Sequence, residues 1–563
     1  MQTYGLSARL IAKRGLIVAL AGGCLTLSVR ASDLIVNSSG STISISSGTT
    51  NYGNISLGET VPATANTLEI LNSGTSVNAS GDTLIGNNGA SNNLSISGGA
   101  VLNGVVGYLG VATTSTTNSA LITGAGSAWN TAAIYLGYNG GGNSLTISNG
   151  GMVTGTVGNT ALGQFATSSN NTATVTGANS KWIVSSGAFI TGYSGSGNSL
   201  TISNGGMVQI AANNLIGYLA GSAGNSVLVT GSNSTLSSAG ISYAGYEGSG
   251  TLTVADGAQV TSSAFVAGSQ TGSGGAIVVS GTDGHRGTLS GGSFTRGSGS
   301  GSLTVDGGIL RATGDSTGFV SGFSSGNVTF ASGGGRVDSN GYNITISSEV
   351  GGAGGLIKQG NGTLTVSASN SYMGETVVEN GTLSVLGDQT AATGTTTVAG
   401  GATLSGNGTI GGDTVVQSGG MLLPGATFGT LTIKGSLTTD AGATVKMKFG
   451  GTAVHLFDQL DVQGQFVAAG TLDLEIDTGF TPNIGDTFTI FGGSTPGFDS
   501  GSFTITTNLS GGLFWDTASL ASTGVVSVVP EPSSIVLLAL GTIAVVVAAR
   551  CFRTKEHEKG TPV

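Results

Sequence analysis

The stretch Asn143-Ser-Leu-Thr-Ile-Ser-Asn-Gly-Gly-Met-Val153 decides the fold, because it returns letter for letter at residues 198–208. Within it apolar Leu145 and Ile147 alternate with polar Thr146 and Ser148, the period-two pattern of a strand with one buried face. Asn149, Gly150 and Gly151 follow; these residue types tolerate positive φ, so the strand ends in a turn. Looser copies run on both sides. Aligned on the second apolar residue they give the column Ile45, Ile70, Ile96, Ile122, Ile147, Val175, Ile202, Val229, Val254, Val279 and Val305, at intervals of 25 to 28 residues. A companion apolar column lies two residues earlier, from Ile43 and Leu68 to Leu303. Four residues before the first column stand Asn66, Asn92, Asn118, Asn143, Asn171, Asn198 and Asn225. A constant interval with fixed residue types is the signature of a β-solenoid, in which each coil stacks a side chain on its neighbour's copy. Stacked amides then pair as a ladder. A second apolar patch recurs in each unit, as in Ile134-Tyr-Leu-Gly137, Leu215-Ile-Gly-Tyr218 and Ile241-Ser-Tyr-Ala-Gly-Tyr246. Each coil of about 26 residues is therefore expected to hold three short strands.

Composition narrows the function. Glycine supplies 103 of 563 residues but without a three-residue period, which excludes collagen. The apolar columns and a 38% hydrophobic content argue against disorder. Charge is scarce at 8%, and no Asp, Glu, Lys or Arg occurs between Asp82 and Lys181. Residues 32–529 carry 9 basic against 24 acidic side chains, a net of −15. Phosphate contacts need clustered Lys and Arg, so no nucleic acid is expected as a partner. Cys24 and Cys551 both fall in segments that read as targeting signals, which leaves the body without a disulfide or thiolate metal site.

Residues 1–31 have the build of an export signal: basic Arg9, Lys13 and Arg14, an apolar run at 16–29, and a small residue, Ala31, at the cleavage end. The mature chain is expected to begin at Ser32. At the other end Val529-Pro-Glu-Pro-Ser-Ser534 precedes an apolar run. Residues 533–549 are 17 uncharged residues, just long enough for a transmembrane helix. Arg550, Arg553 and Lys555 follow and favour a cytoplasmic end.

Several of these motifs carry a resemblance. Thr123-Gly-Ala-Gly-Ser-Ala-Trp129, Thr176-Gly-Ala-Asn-Ser-Lys-Trp182 and Thr230-Gly-Ser-Asn-Ser-Thr-Leu236 resemble the T-repeats of autotransporter passenger domains. Gly354-Gly-Leu-Ile-Lys-Gln-Gly-Asn-Gly-Thr-Leu-Thr-Val366, with Asn370-Ser-Tyr-Met-Gly374 after it, looks like the autotransporter-associated β-strand repeat. The resemblance implies an all-β, right-handed parallel β-helix. Fewer than 80 residues follow Gly485, too few for the many-stranded membrane barrel that ends such proteins, so no barrel is expected. Pro530-Glu531-Pro532 ahead of an apolar run and arginines resembles the PEP-CTERM sorting signal of bacterial surface and matrix proteins. That likeness implies an exosortase-type sorting protease as partner, the inner membrane before processing, and contact with exopolysaccharide or cell-surface glycan. The sorting and processing residues would be Ala31, Ser32, Pro530, Glu531, Pro532, Arg550 and Arg553. The expected organisation is a signal peptide at 1–31, regular coils at 32–330, the autotransporter-associated repeat at 331–400, a β-rich cap or junction at 401–528, and the sorting signal at 529–563.

Catalytic chemistry is hard to find. The best carboxylate group is Asp473, Glu475 and Asp477, which share one face of a strand; they suit either calcium or the acid–base work of a polysaccharide lyase or hydrolase. Carboxylates in line on one strand diverge, so they read as a solvated face. His285, His455 and His557 have no second histidine at ligand spacing. Trp129 and Trp182 share a slot with Leu236, which favours packing over sugar stacking. No catalytic, cofactor or metal residue is assigned. The expected function is a non-enzymatic, exported structural or adhesin-like protein, at the cell surface or in the extracellular matrix; a polysaccharide-active enzyme is the alternative.

Overall fold

The computed structural model describes residues 32–61, 63–493 and 502–531. They belong to two compact units, Met1–Thr397 and Val398–Val563. The first is a parallel β-solenoid with about 26 residues per coil. One coil shows the plan: strands Ser144–Ser148, Met152–Gly155 and Thr160–Leu162, each joining a different parallel sheet. In the first strand Leu145 and Ile147 are buried while Thr146 and Ser148 face outward. Asn149 and Gly150 both adopt positive φ, and their copies Asn204 and Gly205 repeat the geometry. The tight return to Met152 needs Gly151 as well, since a Cβ there would lie 2.4 Å from the Ile122 carbonyl oxygen.

The column read from the sequence is the register of the sheet. Ile45 pairs with Ile70, Ile70 with Ile96 and Ile96 with Ile122, and so on without a slip to Val279 and Val305. One further step beyond the column read from the sequence joins Val305 to Phe330. Beyond it the coil contracts. Leu356–Gln359 and Thr376–Val378 stack in one sheet, and Thr363–Val366 and Thr382–Val385 in another, with partners about 20 residues apart. The contraction follows the loss of one strand per coil: the sheet holding the long apolar column ends, within this unit, at Val328–Phe330.

The asparagine column forms the expected ladder. Each side-chain amide donates to the carbonyl of the next, at 2.9 Å for Asn66 to Asn92 and for Asn118 to Asn143, and at 3.0 Å for Asn92 to Asn118 and Asn143 to Asn171. The same carbonyl also accepts the backbone N–H of the preceding asparagine. These amides are fully buried, so the ladder satisfies backbone and side chain together where no water reaches. It packs over a glycine column: a Cβ on Gly137 would stand 2.2 Å from Asn171 Nδ2. A second ladder, legible in the sequence at a similar interval but missed there, runs through Asn51, Asn78, Asn103 and Asn130 on a more exposed face, with 2.9 Å at each step.

The second unit continues with parallel pairing of its own. Thr403–Gly406, Met421–Pro424, Thr444–Phe449, Gly470–Ile476 and Phe503–Thr507 stack in order. A three-stranded antiparallel sheet follows, with Val525–Pro530 between Thr487–Thr489 and Leu513–Asp516. Phe449, Phe457, Phe488 and Trp515 pack edge and face around its root. Among the described residues no helix is long and apolar enough to cross a membrane; the expected helix at 533–549 and the signal at 1–31 lie outside them.

Candidate functional site

Of the residues expected to take part in sorting and processing, Ser32, Pro530 and Glu531 lie at the two ends of the described residues. Ser32 is exposed and immediately precedes the first strand, Leu34–Val36. Pro530 and Glu531 are also exposed, but they are not on a loose tether. Pro530 closes the strand Val525–Pro530 and pairs with Leu513, while the Glu531 N–H donates to the Gly512 carbonyl at 2.9 Å. Proline lacks an N–H and is tolerated at such a strand end. The strand is anchored through Val526 and Val528, both fully buried. Ala31, Pro532, Arg550 and Arg553 lie outside the described residues.

The carboxylates do not form the expected trio on one strand face: the strand ends at Ile476, Asp477 stands exposed beyond it, and the other two are already paired. Gly470–Ile476 lies beside Thr444–Phe449 with Lys446 opposite Asp473. The Lys446 ammonium reaches Asp473 at 3.3 Å and also pairs with Glu475. Those bonds hold the lysine above its ordinary pKa, Glu475 first. Asp473 further accepts from the Thr506 hydroxyl at 2.8 Å. Among the described residues no group of three His, Cys, Asp or Glu is arranged to hold a metal ion.

Trp129 and Trp182 are fully buried, with Leu102, Val153, Val208 and Leu236 interleaved in one inward column. They are packing residues. His285 lies on a short hairpin, where its ring Nδ1 stands 3.4 Å from the Ser232 hydroxyl. Lys358 and Asp458, both buried, escaped the sequence reading. Lys358 points into the core between Val337 and Val378, and its ammonium donates to the carbonyls of Gln359, Gly360 and Asn380 at 3.0, 2.6 and 3.0 Å; burial lowers it to about 8. Asp458 is fully buried, accepts the Lys448 N–H at 3.0 Å and leaves Oδ1 unpartnered; burial pushes it up to about 7.

Residues 356–385 match the passenger-associated-transport-repeat, and residues 528–553 match the PEP-CTERM protein-sorting motif. The adhesin BmaC autotransporter of Brucella suis biovar 1 (strain 1330) is 33% identical over 168 residues, which cover 28% of this chain and 5% of that relative. The match therefore spans a small fraction of that protein's length. A crystal structure of a hyper-glycosylated TibA fragment, modified by TibC, aligns over 72% of this chain and 96% of that one, at 17% identity and a TM-score of 0.22. The chain is thus similar to autotransporter passengers in its repeats and carries a PEP-CTERM protein-sorting motif at its C-terminal end.

Proposed function

We propose that this is an exported bacterial protein of the cell surface or extracellular matrix, with a structural or adhesive role and no catalytic one. The observation that carries the reading is the joining of a repeat solenoid to a PEP-CTERM sorting motif, which implies processing by an exosortase-type enzyme. Two structural features support it. Among the described residues the first strand is Leu34–Val36, so a start at Ser32 would leave the solenoid whole. At the other end the backbone is tied into a sheet as far as the Glu531 N–H. A protease that binds an open, extended backbone would have to break those bonds to cut upstream, so the cut falls on the C-terminal side of Glu531. The residue types best suited to polysaccharide cleavage, Asp473 and Glu475, are already paired with Lys446, which supports the non-enzymatic role.

Mass spectrometry of the native surface protein tests the proposal. The expected chain begins near Ser32 and lacks Arg550; a mature chain that retains Arg550 refutes it. Replacing Pro530 and Pro532 with Ala is expected to trap a longer form in the membrane fraction. The enzymatic alternative predicts polysaccharide cleavage that disappears in Asp473→Asn, Glu475→Gln, Asp477→Asn.

A further inference from the structure

The outward side of one sheet in the first unit is lined with tyrosines. Parallel register places Tyr108, Tyr135, Ala161, Ile190, Leu215 and Tyr243 in a single column, one per coil. Just past the turn glycine of each coil stands a second column, with Tyr138, Gln164, Tyr193, Tyr218 and Tyr246. Tyr193, Tyr218 and Tyr246, with Tyr135 and Tyr243, pack over the aliphatic floor of Ala161, Ile190 and Leu215. Neighbouring rings stand about one strand spacing apart: 5.4 Å for Tyr108 and Tyr135, 4.9 Å for Tyr193 and Tyr218, and 5.3 Å for Tyr218 and Tyr246. Five coil steps at the ordinary strand spacing make the ribbon about 24 Å long.

Shielding that floor explains why aromatic rings stack there, face to face for Tyr108 on Tyr135 and Tyr218 on Tyr246 and edge-on for Tyr138 and Tyr246 against their neighbours, but not why they are tyrosines. Phenylalanine or leucine would cover it as well. All seven tyrosines are half-buried, so their hydroxyls face the surface, and none of these hydroxyls bonds another described residue. In the second column the Gln164 side-chain carbonyl is buried without a partner. Burial raises the hydroxyls of Tyr108, Tyr135, Tyr218 and Tyr243 above the usual tyrosine range, with Asp82 adding to Tyr108 and Glu247 to Tyr218. They remain neutral donors at any physiological pH. Charge is sparse along the ribbon: the carboxylates of Asp82 and Glu247 stand near its two ends, and between them in the sequence the sole charged residue is Lys181, on a strand of a different sheet.

We propose that this tyrosine ribbon is a binding platform for an extended neutral polysaccharide. A pyranose ring offers a C–H face that lies against an aromatic ring and an edge of hydroxyls that meets phenol and amide groups. Tyrosine supplies both halves of that contact with little side-chain entropy to lose. A linear polymer repeats along its axis as the rings repeat along the coils, so one register satisfies several sites together. The scarcity of charge selects neutral sugars, since an acidic chain would give up its hydration for no cation. The inference rests on the adhesive reading above and names its ligand class.

The test uses the full-length chain in mild detergent, with a soluble neutral β-glucan and a neutral mannan as probes and alginate as the acidic comparator. Affinity electrophoresis is expected to show retardation by a neutral polymer and none by alginate. The triple variant Tyr193→Ala, Tyr218→Ala, Tyr246→Ala should weaken binding about tenfold or more, the scale of losing central aromatic anchors. Because that variant uncovers Ile190 and Leu215 and so strains the fold, tyrosine nitration of the unmutated chain gives a second readout. Bound polymer should protect the peptides holding Tyr193, Tyr218 and Tyr246, and not the exposed Tyr342. Failure of both neutral polymers to bind, tighter binding of alginate, or unchanged nitration would each overturn the proposal. So would sedimentation showing a dimer that the alanine variant dissociates, which gives the ribbon to a second copy of the chain. Surface display is measured separately, so a chain that reaches the surface and ignores neutral polymers refutes the ribbon alone.

Discussion

The buried amide ladder makes a prediction that its two ends sharpen. Asn143 sits mid-ladder, fully buried, and its carbonyl accepts both the backbone N–H and the side-chain amide of Asn118 at 2.9 Å. Its own amide donates to Gly140 O at 2.9 Å and to Asn171 Oδ1 at 3.0 Å. In Asn143→Ala the backbone N–H of residue 143 still serves Asn171, and Gly140 O keeps a share of the Ser168 hydroxyl, which also donates to Gly137 O. The two Asn118 donors keep none. An orphaned buried donor costs about 1–3 kcal/mol, so the substitution should cost roughly 4 kcal/mol. Asn66, at the ladder's first step, has a carbonyl that accepts nothing. Its amide donates to Asn92 Oδ1, which retains the Asn66 backbone N–H. Asn66→Ala orphans no group and should cost only about 1 kcal/mol. Solenoids open in segments, so the assay pairs urea unfolding with hydrogen exchange on peptides spanning residues 110–150. Exchange there should quicken sharply in Asn143→Ala alone. If the two variants prove equal within about 1 kcal/mol, the ladder is not what holds that corner.

Other expectations follow from the buried ionisable groups and the register. Asp458 has a folded pKa near 7 against an ordinary 3.8, so the folded state holds the proton more tightly between those values. Stability of the second unit should therefore be greatest below pH 4 and fall as pH rises to 7, by up to about 4 kcal/mol. Thermal melts of Asp458→Asn should lose that slope and lie higher at neutral pH. Lys358, lowered to about 8 from 10.5, has the opposite window. The unfolded chain binds the extra proton between those values, so stability should rise with pH there by up to about 3 kcal/mol, and Lys358→Met should flatten the rise. Deleting residues 171–197 removes one coil and sets Asn143 beside Asn198, so circular dichroism and proteolysis should report a folded chain. Deleting about half a coil should not fold, because every apolar column loses register.

The solenoid can be read from the order of residues alone, and the reason is geometric. In-register parallel stacking turns a sequence interval directly into a contact, so Ile122 and Ile147, or Asn118 and Asn143, are neighbours as soon as the period is known. No long-range search is needed, which is why the columns, the ladder and the packing role of Trp129 and Trp182 were all legible. Tertiary structure decided what the period does not encode. The pairing of Lys446 with Asp473 and Glu475 depends on the local length of one coil. Lys358 turns inward because three carbonyls at a coil corner replace its water, against the usual rule for a lysine. The closing sheet joins Thr487–Thr489, Leu513–Asp516 and Val525–Pro530 in an antiparallel order that no repeat announces. The tyrosine ribbon is the subtlest case. Tyr135 and Tyr193 look unrelated in the text, because one precedes and the other follows its turn glycine. Only the fold of the coil brings both columns onto one outward face, over Ala161, Ile190 and Leu215.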